Sequence, residues 1–488
     1  MLQKRLLGIL LASTSMVGCS KFLDKNPDNR TELNSVEKVS AFLTTAYPND
    51  SYINFTEAVS DNSDDKSVGT MYIEITKSYQ FEENFEVGRD TPSDYWDACY
   101  AAIAVANQAI DAINHAPDPQ NYRSQLGEAL VCRAYSHFML VTLFSKSYDP
   151  ATASTDLGIP YVTEPETVVL KNYERKNVAY VYEQIEKDLT EGLPLLDDNR
   201  YKVPKYHFNK RAAHAFASRF FLFKKEYAKV VSHVNEVFPD GNVVNSLRDI
   251  TGAYRTYTAD EQFMHYTKAT EPCNLLLREA SSLYARKFAS GRRYGYTAAI
   301  FSKLFGANVT GSTAWGQQRY NYGQDHPALL KWKEYFHRVS VNASTGFPHI
   351  MAPLFTTEEA LFNRAEAYAE LGEFDKSAAD LTSYASKRFT NFSNAYSVTL
   401  AKAKAFYPNT TDRVAMVNAV LDLKRTEFIH DGLRWFDMLR HKIPVRHKVI
   451  DVSDPQKVTY VEISGDDNRR AFQIPEITSI AGLERNPR

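Results

Sequence analysis

Along most of the chain the apolar residues recur at three- and four-residue spacing, the period of a helix with one buried face. From Tyr95 to about Lys146 they do so in YWDACYAAIAVANQAIDAI and QLGEALVCRAYSHFMLVTLF, with the proline-containing stretch Asn114 to Asn121 between them, which predicts a helical hairpin. VAYVYEQIEKDLTEGLPLL and FNKRAAHAFASRFFLFKKEYAKVVSHVNEVF predict a second set, the latter breaking near Lys224-Lys225. The clearest unit is EEALFNRAEAYAELGEFDKSAADLTSYASKR. There Leu361, Ala365, Tyr368, Gly372, Phe374, Ser377, Leu381 and Tyr384 fall where a tetratricopeptide unit places a large residue, a small one, an aromatic, a turn glycine and its further packing positions. Setting Tyr227 on Phe374 puts Ser218 on Ala365 and Phe221 on Tyr368, so the unit occurs at least twice. AMVNAVLDLKRTEF and GLRWFDMLR predict a last helix pair. One such hairpin cannot bury its apolar face alone, so several should stack into a single scaffold. The expected fold is mostly α: a tetratricopeptide-like helical repeat scaffold at approximately 95–240 and 354–445, with an irregular, loop-rich ligand-binding region and minor β.

Two stretches break the period. Approximately 49–94 is irregular and carries the acidic run Asp61-Asn62-Ser63-Asp64-Asp65, and approximately 241–353 accumulates Gly, Tyr, Trp, Arg and Asn in GRRYGYTAAIFSKLFGANVTGSTAWGQQRYNYGQ. Irregular, aromatic-rich insertions on a regular scaffold are where binding surfaces usually sit. KVTYVEIS, with Val458, Tyr460 and Glu462 alternating, predicts a little sheet. At the other extreme of order, MLQKRLLGILLASTSMVGCS has a basic start, an apolar run too short to span a bilayer, and the junction Met16-Val17-Gly18-Cys19. It reads as a bacterial lipoprotein signal over 1–18, with Cys19 as the acylated first residue of the mature chain at 19–488. Several acyl chains together hold a soluble domain at a membrane where one would not.

Composition narrows the function. About 470 residues remain after cleavage, more than one compact core usually spans. Loss of the two positive charges Lys4 and Arg5 leaves a near-neutral chain from a formal −2, which argues against a nucleic-acid partner. Thirty Tyr and 28 Phe offer many flat apolar faces, useful for packing and for sugar rings. Cys99, Cys132 and Cys273 form no CxxC or zinc-finger pattern and fall in apolar contexts, so buried free thiols are expected. The twelve His include no HExxH and no close pair with a third ligand in view, so no metal and no cofactor are predicted. The acidic run Asp61 to Asp65 lacks the internal glycine and distal Glu of an EF-hand and is expected to be a solvated or ligand-facing loop.

In order along the chain, a set of motifs resembles the SusD/RagB-like outer-membrane lipoproteins of Bacteroidota. They are Cys19-Ser20-Lys21-Phe22-Leu23-Asp24; Trp96, Ile103, Asn107 and Ile110 on one helix; Glu128-Ala129 with Arg133-Ala134-Tyr135; and Gly158-Ile159-Pro160. Val181-Tyr182-Glu183-Gln184-Ile185 with Asp188-Leu189, Arg364-Ala365-Glu366-Ala367-Tyr368, Arg425 through Arg434-Trp435-Phe436-Asp437, and Ile474-Pro475 with Asn486-Pro487 complete the set. Leu423 and Leu433 depart from the family's usual Glu and His, and the chain stops at Arg488 without the usual Gly-Tyr ending. The resemblance implies about four tetratricopeptide-like hairpins and a non-enzymatic, cell-surface nutrient-binding lipoprotein. Such a protein lies over a TonB-dependent SusC-like outer-membrane barrel, faces outward, touches the membrane through its lipid anchor only, and delivers an oligosaccharide or another nutrient to the barrel. The alternative is a tetratricopeptide lipoprotein serving as a protein-assembly platform in the envelope. A glycosidase would need two carboxylates about 5–10 Å apart across a cleft.

A saccharide presents an apolar C–H face and an edge of hydroxyls, so its site needs flat aromatics plus fixed donors and acceptors. The irregular region supplies Tyr294, Tyr296, Trp315, Tyr320 and Tyr322 as candidate faces, with Arg292, Gln317 and Asp65 as polar contacts. Trp315, between small residues, is the strongest single candidate. Trp96 starts a helix, where packing is the favoured role and ligand stacking the other. Glu427, Arg434 and Asp437, at helical spacing beside Trp435 and Phe436, are expected to form a structural ion-pair network.

Overall fold

The computed structural model describes residues 32–166, 171–289, 291–323 and 325–488. The leader and Cys19 lie outside the described residues. The helices used below are α1 (Val36–Leu43), α2 (Ile53–Val59), α3 (Ile73–Tyr79), α4 (Pro92–Asn114), α5 (Arg123–Phe144), α6 (Val178–Gly192), α7 (Lys210–Lys224), α8 (Tyr227–Val237), α9 (Thr357–Glu370), α10 (Phe374–Ser386), α11 (Asp412–Glu427) and α12 (Leu433–Arg440). Many start at a side-chain cap: Thr91, Asn177, Asn209, Thr356 and Thr411 each accept a backbone N–H of the first turn of α4, α6, α7, α9 and α11. The architecture is mostly α and tetratricopeptide-like, with α4, α5 and α6 packed in succession and α7–α8 and α9–α10 as hairpins.

The aligned repeats fold alike. Gly372 closes α9 with φ +79°, and the position that aligns with it, Lys225, closes α7 with φ +63°. A lysine there holds the left-handed turn that glycine adopts without strain. Ala365, Leu381 and Tyr384 of the one unit and Ser218 and Phe221 of the other are buried, as the packing positions require. Cys99, Cys132 and Cys273 are free and buried.

Within 241–353 the chain is less irregular than its sequence suggests. Strands β1 (Asn274–Ser281), β2 (Tyr335–Arg338) and β3 (Gly346–Thr356) form an antiparallel sheet in the order β1-β3-β2, and a separate hairpin joins β4 (Val445–Ile450) to β5 (Val458–Ile463) at the predicted KVTYVEIS. Strand β3 runs directly into α9 through Thr356, so one continuous segment belongs to both sheet and scaffold. Its Phe355 sits in a ring cluster with Tyr135, Phe208 and Phe216, and Arg219 stacks over it at 4.1 Å while pairing both oxygens of Glu359 at 2.5 and 2.6 Å.

The second tie is Arg388, fully buried just after α10. Its guanidinium donates to both oxygens of Glu427 at 2.7 and 2.9 Å, to Glu358 Oε1 at 3.0 Å and to the Arg248 carbonyl at 2.9 Å. One side chain thereby joins α9, α11 and the start of the inserted region. Burial alone would raise the Glu427 carboxyl; Arg388 overrides it and brings it to about 2.

Removing Arg388 leaves two buried carboxylates unpaired, which typically costs about 3–5 kcal/mol. Arg388→Ala is expected to lose that much in urea denaturation at pH 7. Because the folded carboxyl is depressed, the wild-type contribution is present above about pH 4.5 and is lost as pH falls toward 2. The gap between wild type and variant should therefore narrow in acid.

Candidate functional site

A solvent-open aromatic cleft lies in the inserted region, with a volume of about 370 Å³. The short helix Tyr284–Ala289 contributes Tyr284, Arg286 and Phe288 to one wall. The extended stretch after Pro327–Ala328 contributes Leu329, Leu330, Trp332, Lys333 and Glu334, and Phe263 comes from the helix Ala259–Tyr266. Tyr320–Asn321 pairs with Pro327–Ala328, and the tight hairpin turns Tyr322 outward, 46% exposed, with its N–H donating to the His326 carbonyl at 3.0 Å. The Phe288 ring meets Tyr322 edge-on at 6.1 Å. The rim is charged: Arg286 grips both oxygens of Glu334 at 2.9 and 2.5 Å, and Lys333 reaches Asp260 at 3.4 Å.

The floor is formed by His430. His430 is buried, accepts the Leu329 N–H at Nε2 (3.4 Å) and meets Tyr284 Oη through Nδ1 (3.1 Å); burial first, and the Arg292 charge second, hold it well below the usual histidine range. Beneath Phe288, His326 is lowered to about 4 by burial and by Lys66, and Lys66 is itself lowered to about 7 by burial and by Arg292. Trp332 is fixed by its indole N–H donating to the His430 carbonyl at 2.8 Å. The arrangement offers one well-exposed ring, Tyr322, beside the edges of Phe288 and Trp332, each 8% exposed, with charged and hydroxyl groups at the rim.

Of the residues singled out from sequence, Tyr322 lines this cleft. Gln317 lines a smaller adjoining recess that shares Leu329 and Leu330, and half-exposed Tyr320 donates to Gln318 of the same recess at 2.8 Å. The others are placed in the interior, which corrects their expected role as ligand contacts. Trp315 is 7% exposed: its sequence neighbours are small, but Phe389 and Phe305 cover the ring at 4.4 and 5.5 Å from elsewhere in the chain. Tyr294 stacks on Tyr79 at 4.3 Å. Tyr296 is buried with its hydroxyl donating to Glu57 at 2.8 Å. Arg292 stands behind the cleft, over Tyr284 and Phe288 at 5.0 and 5.5 Å, with Nη1 on Asn54. Asp65 is gripped by both arms of Arg293, at 2.7 and 2.8 Å.

The acidic run is therefore neither solvated nor ligand-facing along its length. Asp61 receives Arg434 at 2.8 and 2.9 Å and Arg425 at 3.3 Å, and against the effect of burial these arginines bring it to about 2. Glu427, Arg434 and Asp437 are each in a structural ion pair, but in separate ones: Glu427 with Arg388, Arg434 with Asp61, and Asp437 with Lys424 and Arg440. Trp96 packs edge-on against Phe144 at 4.9 Å, and its remaining edge reaches a second, apolar groove with Tyr100 and Tyr173. Phe288, Trp332 and Phe263 were not singled out in the sequence. The available signal was Lys331-Trp332-Lys333, an indole between two charges just past the aromatic run.

Residues 21–222 match a SusD-like family model described as starch-binding associating with outer membrane. No curated protein matches the chain. Among solved structures, a putative sugar binding protein from Bacteroides vulgatus superposes with a TM-score of 0.68 at 19% identity, covering 94% of this chain and 99% of that one. A SusD superfamily protein from Bacteroides fragilis gives 0.67 at 18% identity over 92% and 99%, and one from Bacteroides thetaiotaomicron 0.65 at 17% over 93% and 100%. The family match is confined to 21–222, and the structural likeness carries the same fold over more than nine-tenths of the chain.

Glu57 links this site to the scaffold. It accepts the Tyr296 hydroxyl and the Gly432 N–H, both at 2.8 Å, and burial raises it to about 7. A folded value above the unfolded one means that its contribution is fully present below about pH 4.5 and is lost as pH rises to about 7. Glu57→Gln, which keeps the shape without the charge, should remove that part of the pH dependence of unfolding free energy between those limits. An unchanged profile would contradict the assignment.

Proposed function

We propose that this SusD-like chain is a cell-surface lipoprotein, anchored through Cys19, that binds an oligosaccharide in the Tyr322–Phe288–Trp332 cleft. It passes the ligand to a TonB-dependent SusC-like outer-membrane barrel. The observation that carries the reading is the cleft itself, where exposed Tyr322 stands beside the edges of Phe288 and Trp332 inside a ring of charged and hydroxyl groups. A sugar ring needs that combination, an apolar face to stack on and polar groups at its edge. The family description as starch-binding and outer-membrane associated supports it. Among the described residues no helix is long and apolar enough to cross a membrane, in keeping with attachment through lipid. Binding without catalysis is the better reading of the cleft because its lining offers one carboxylate, Glu334, already held by Arg286, where glycoside hydrolysis uses two.

A calorimetric or array panel of oligosaccharides on the chain that begins after Cys19 identifies the ligand. Tyr322→Ala should then weaken binding by at least roughly 1 kcal/mol while leaving stability within about 0.5 kcal/mol, as for an exposed position. Trp315→Ala should do the reverse, losing about 3–5 kcal/mol of stability as a core deletion. Full affinity in both Tyr322→Ala and Phe288→Ala would place the ligand elsewhere. Pull-down of the lipidated protein from native membranes should recover the barrel; recovery of other envelope proteins and no barrel would favour the assembly-platform reading. Cys19→Ala should shift the protein out of the membrane fraction.

A further inference from the structure

The β1-β3-β2 sheet brings together two histidines and a carboxylate that no local motif in the sequence links. In its register Ser281 and Tyr335 both face His349, Phe347 faces His337, and Met351 faces Glu279. Side chains two apart on a strand share a face, so Glu279 of β1, His337 of β2 and His349 of β3 all project from the same side. Their potential ligand atoms lie within 4.8 Å of one another. His337 Nε2 is 3.0 Å and His349 Nδ1 3.8 Å from Glu279 Oε1, and the two imidazoles stand 4.5 Å apart.

From this geometry we propose a divalent transition-metal site, of the zinc class, on Glu279, His337 and His349. Two imidazoles and one carboxylate are a zinc donor set, and hard-oxygen cations such as calcium are poorly served by nitrogen. Ligand atoms sharing a tetrahedral zinc at bond lengths of about 2.0–2.1 Å lie roughly 3.4 Å apart, between the two distances seen here. A second observation points the same way. Glu279 Oε1 is shielded from solvent yet accepts no hydrogen bond, because the nearby His337 N–H is not aligned on it. A buried carboxylate oxygen without a donor is rare, and a cation among the three groups satisfies it. Metal binding through His349 Nδ1 displaces its contact with the Phe347 carbonyl at 3.1 Å, and leaves a fourth position for water because His337 is exposed on the outer strand. Arg89, which donates to Ser281 and lies over Phe347, is the cation on this face that opposes the metal. Bound metal would fasten β2, an edge strand whose four residues are all exposed, to the two strands behind it.

Zinc titration of the chain that begins after Cys19, by calorimetry near neutral pH, tests the site, with cobalt as a spectroscopic stand-in whose absorption reports tetrahedral nitrogen and oxygen ligands. The wild type should take up one zinc at this site. Glu279→Gln, and separately the double variant His337→Ala/His349→Ala, should weaken that uptake at least roughly tenfold. His337 is exposed, and Glu279 and His349 are partly buried beside it, so circular dichroism should be unchanged in each variant, and zinc should raise the unfolding midpoint in the wild type only. Absence of saturable zinc uptake by the wild type, or equal uptake by the double variant, overturns the proposal; the latter would direct attention to His214 and His233, whose Nδ1 atoms lie 2.9 Å apart.

Discussion

Arg388 is the constraint on which the join between repeat scaffold and inserted region depends. A guanidinium with no access to solvent must find fixed acceptors for its donors, and this one finds them on α9, on α11 and on the backbone at Arg248. Since its partners come from segments far apart in sequence, the pair can form only when all of them have docked. Beside it, the Gly316 N–H donates to the Arg388 carbonyl at 2.7 Å, and Trp315 is pressed on Phe389. The loop that looked free in sequence is thus clamped to the end of α10.

The same device recurs where the 49–94 segment meets α12 and the inserted region. Asp61 and Asp65 close the 49–94 segment onto Arg434 of α12 and onto Arg293, and Glu57 of α2 receives the Gly432 N–H at the start of α12. Gly432 is required there: its φ is +73°, and a Cβ would approach Thr56 Oγ1 to 2.4 Å. Charged pairs of this kind add little net stability against an apolar replacement, but a displaced partner is heavily penalised, so they select one arrangement of loops that have few regular hydrogen bonds of their own.

How much of this was legible in the sequence follows from the range of the interaction involved. The repeat units were legible because the contacts are local: Ala365, Tyr368 and Gly372 sit at fixed offsets within one hairpin, and the break at Lys224-Lys225 has its counterpart in the turn at Gly372. The β4–β5 hairpin showed through its alternation. Strands β1 and β3 did not, since β1 is buried over most of its length and reads as a short apolar run, which periodicity cannot assign. The candidate aromatics failed where exposure was inferred from neighbours in sequence. Trp315 is covered by Phe305 and Phe389, and Tyr296 by the segment that carries Glu57, contacts that no local pattern encodes. The exposure of Tyr322 was legible because it stands just past the last paired residue of a hairpin, where its ring keeps edge-on contacts with Phe288 and His326. His337 and His349 lie close only through the register of the sheet.

The position of the cleft follows from these ties. Its walls come from the inserted region, but its floor is His430, which stands in the turn between α11 and α12 of the scaffold with φ +72°. That residue is held from three sides: its carbonyl by Trp332, its N–H by Tyr296, and its ring by Tyr284 and Leu329. Tyr296 in turn rests on Glu57, and Glu57 on the first turn of α12. The edges of Phe288 and Trp332 are thereby held by a scaffold turn, and a ligand meeting them beside Tyr322 would spend little free energy on ordering them. At the rim, exposed Tyr322 is the group whose replacement would change the mouth of the cleft without disturbing how the chain folds, whereas Arg286 and Lys333 are tied to Glu334 and Asp260.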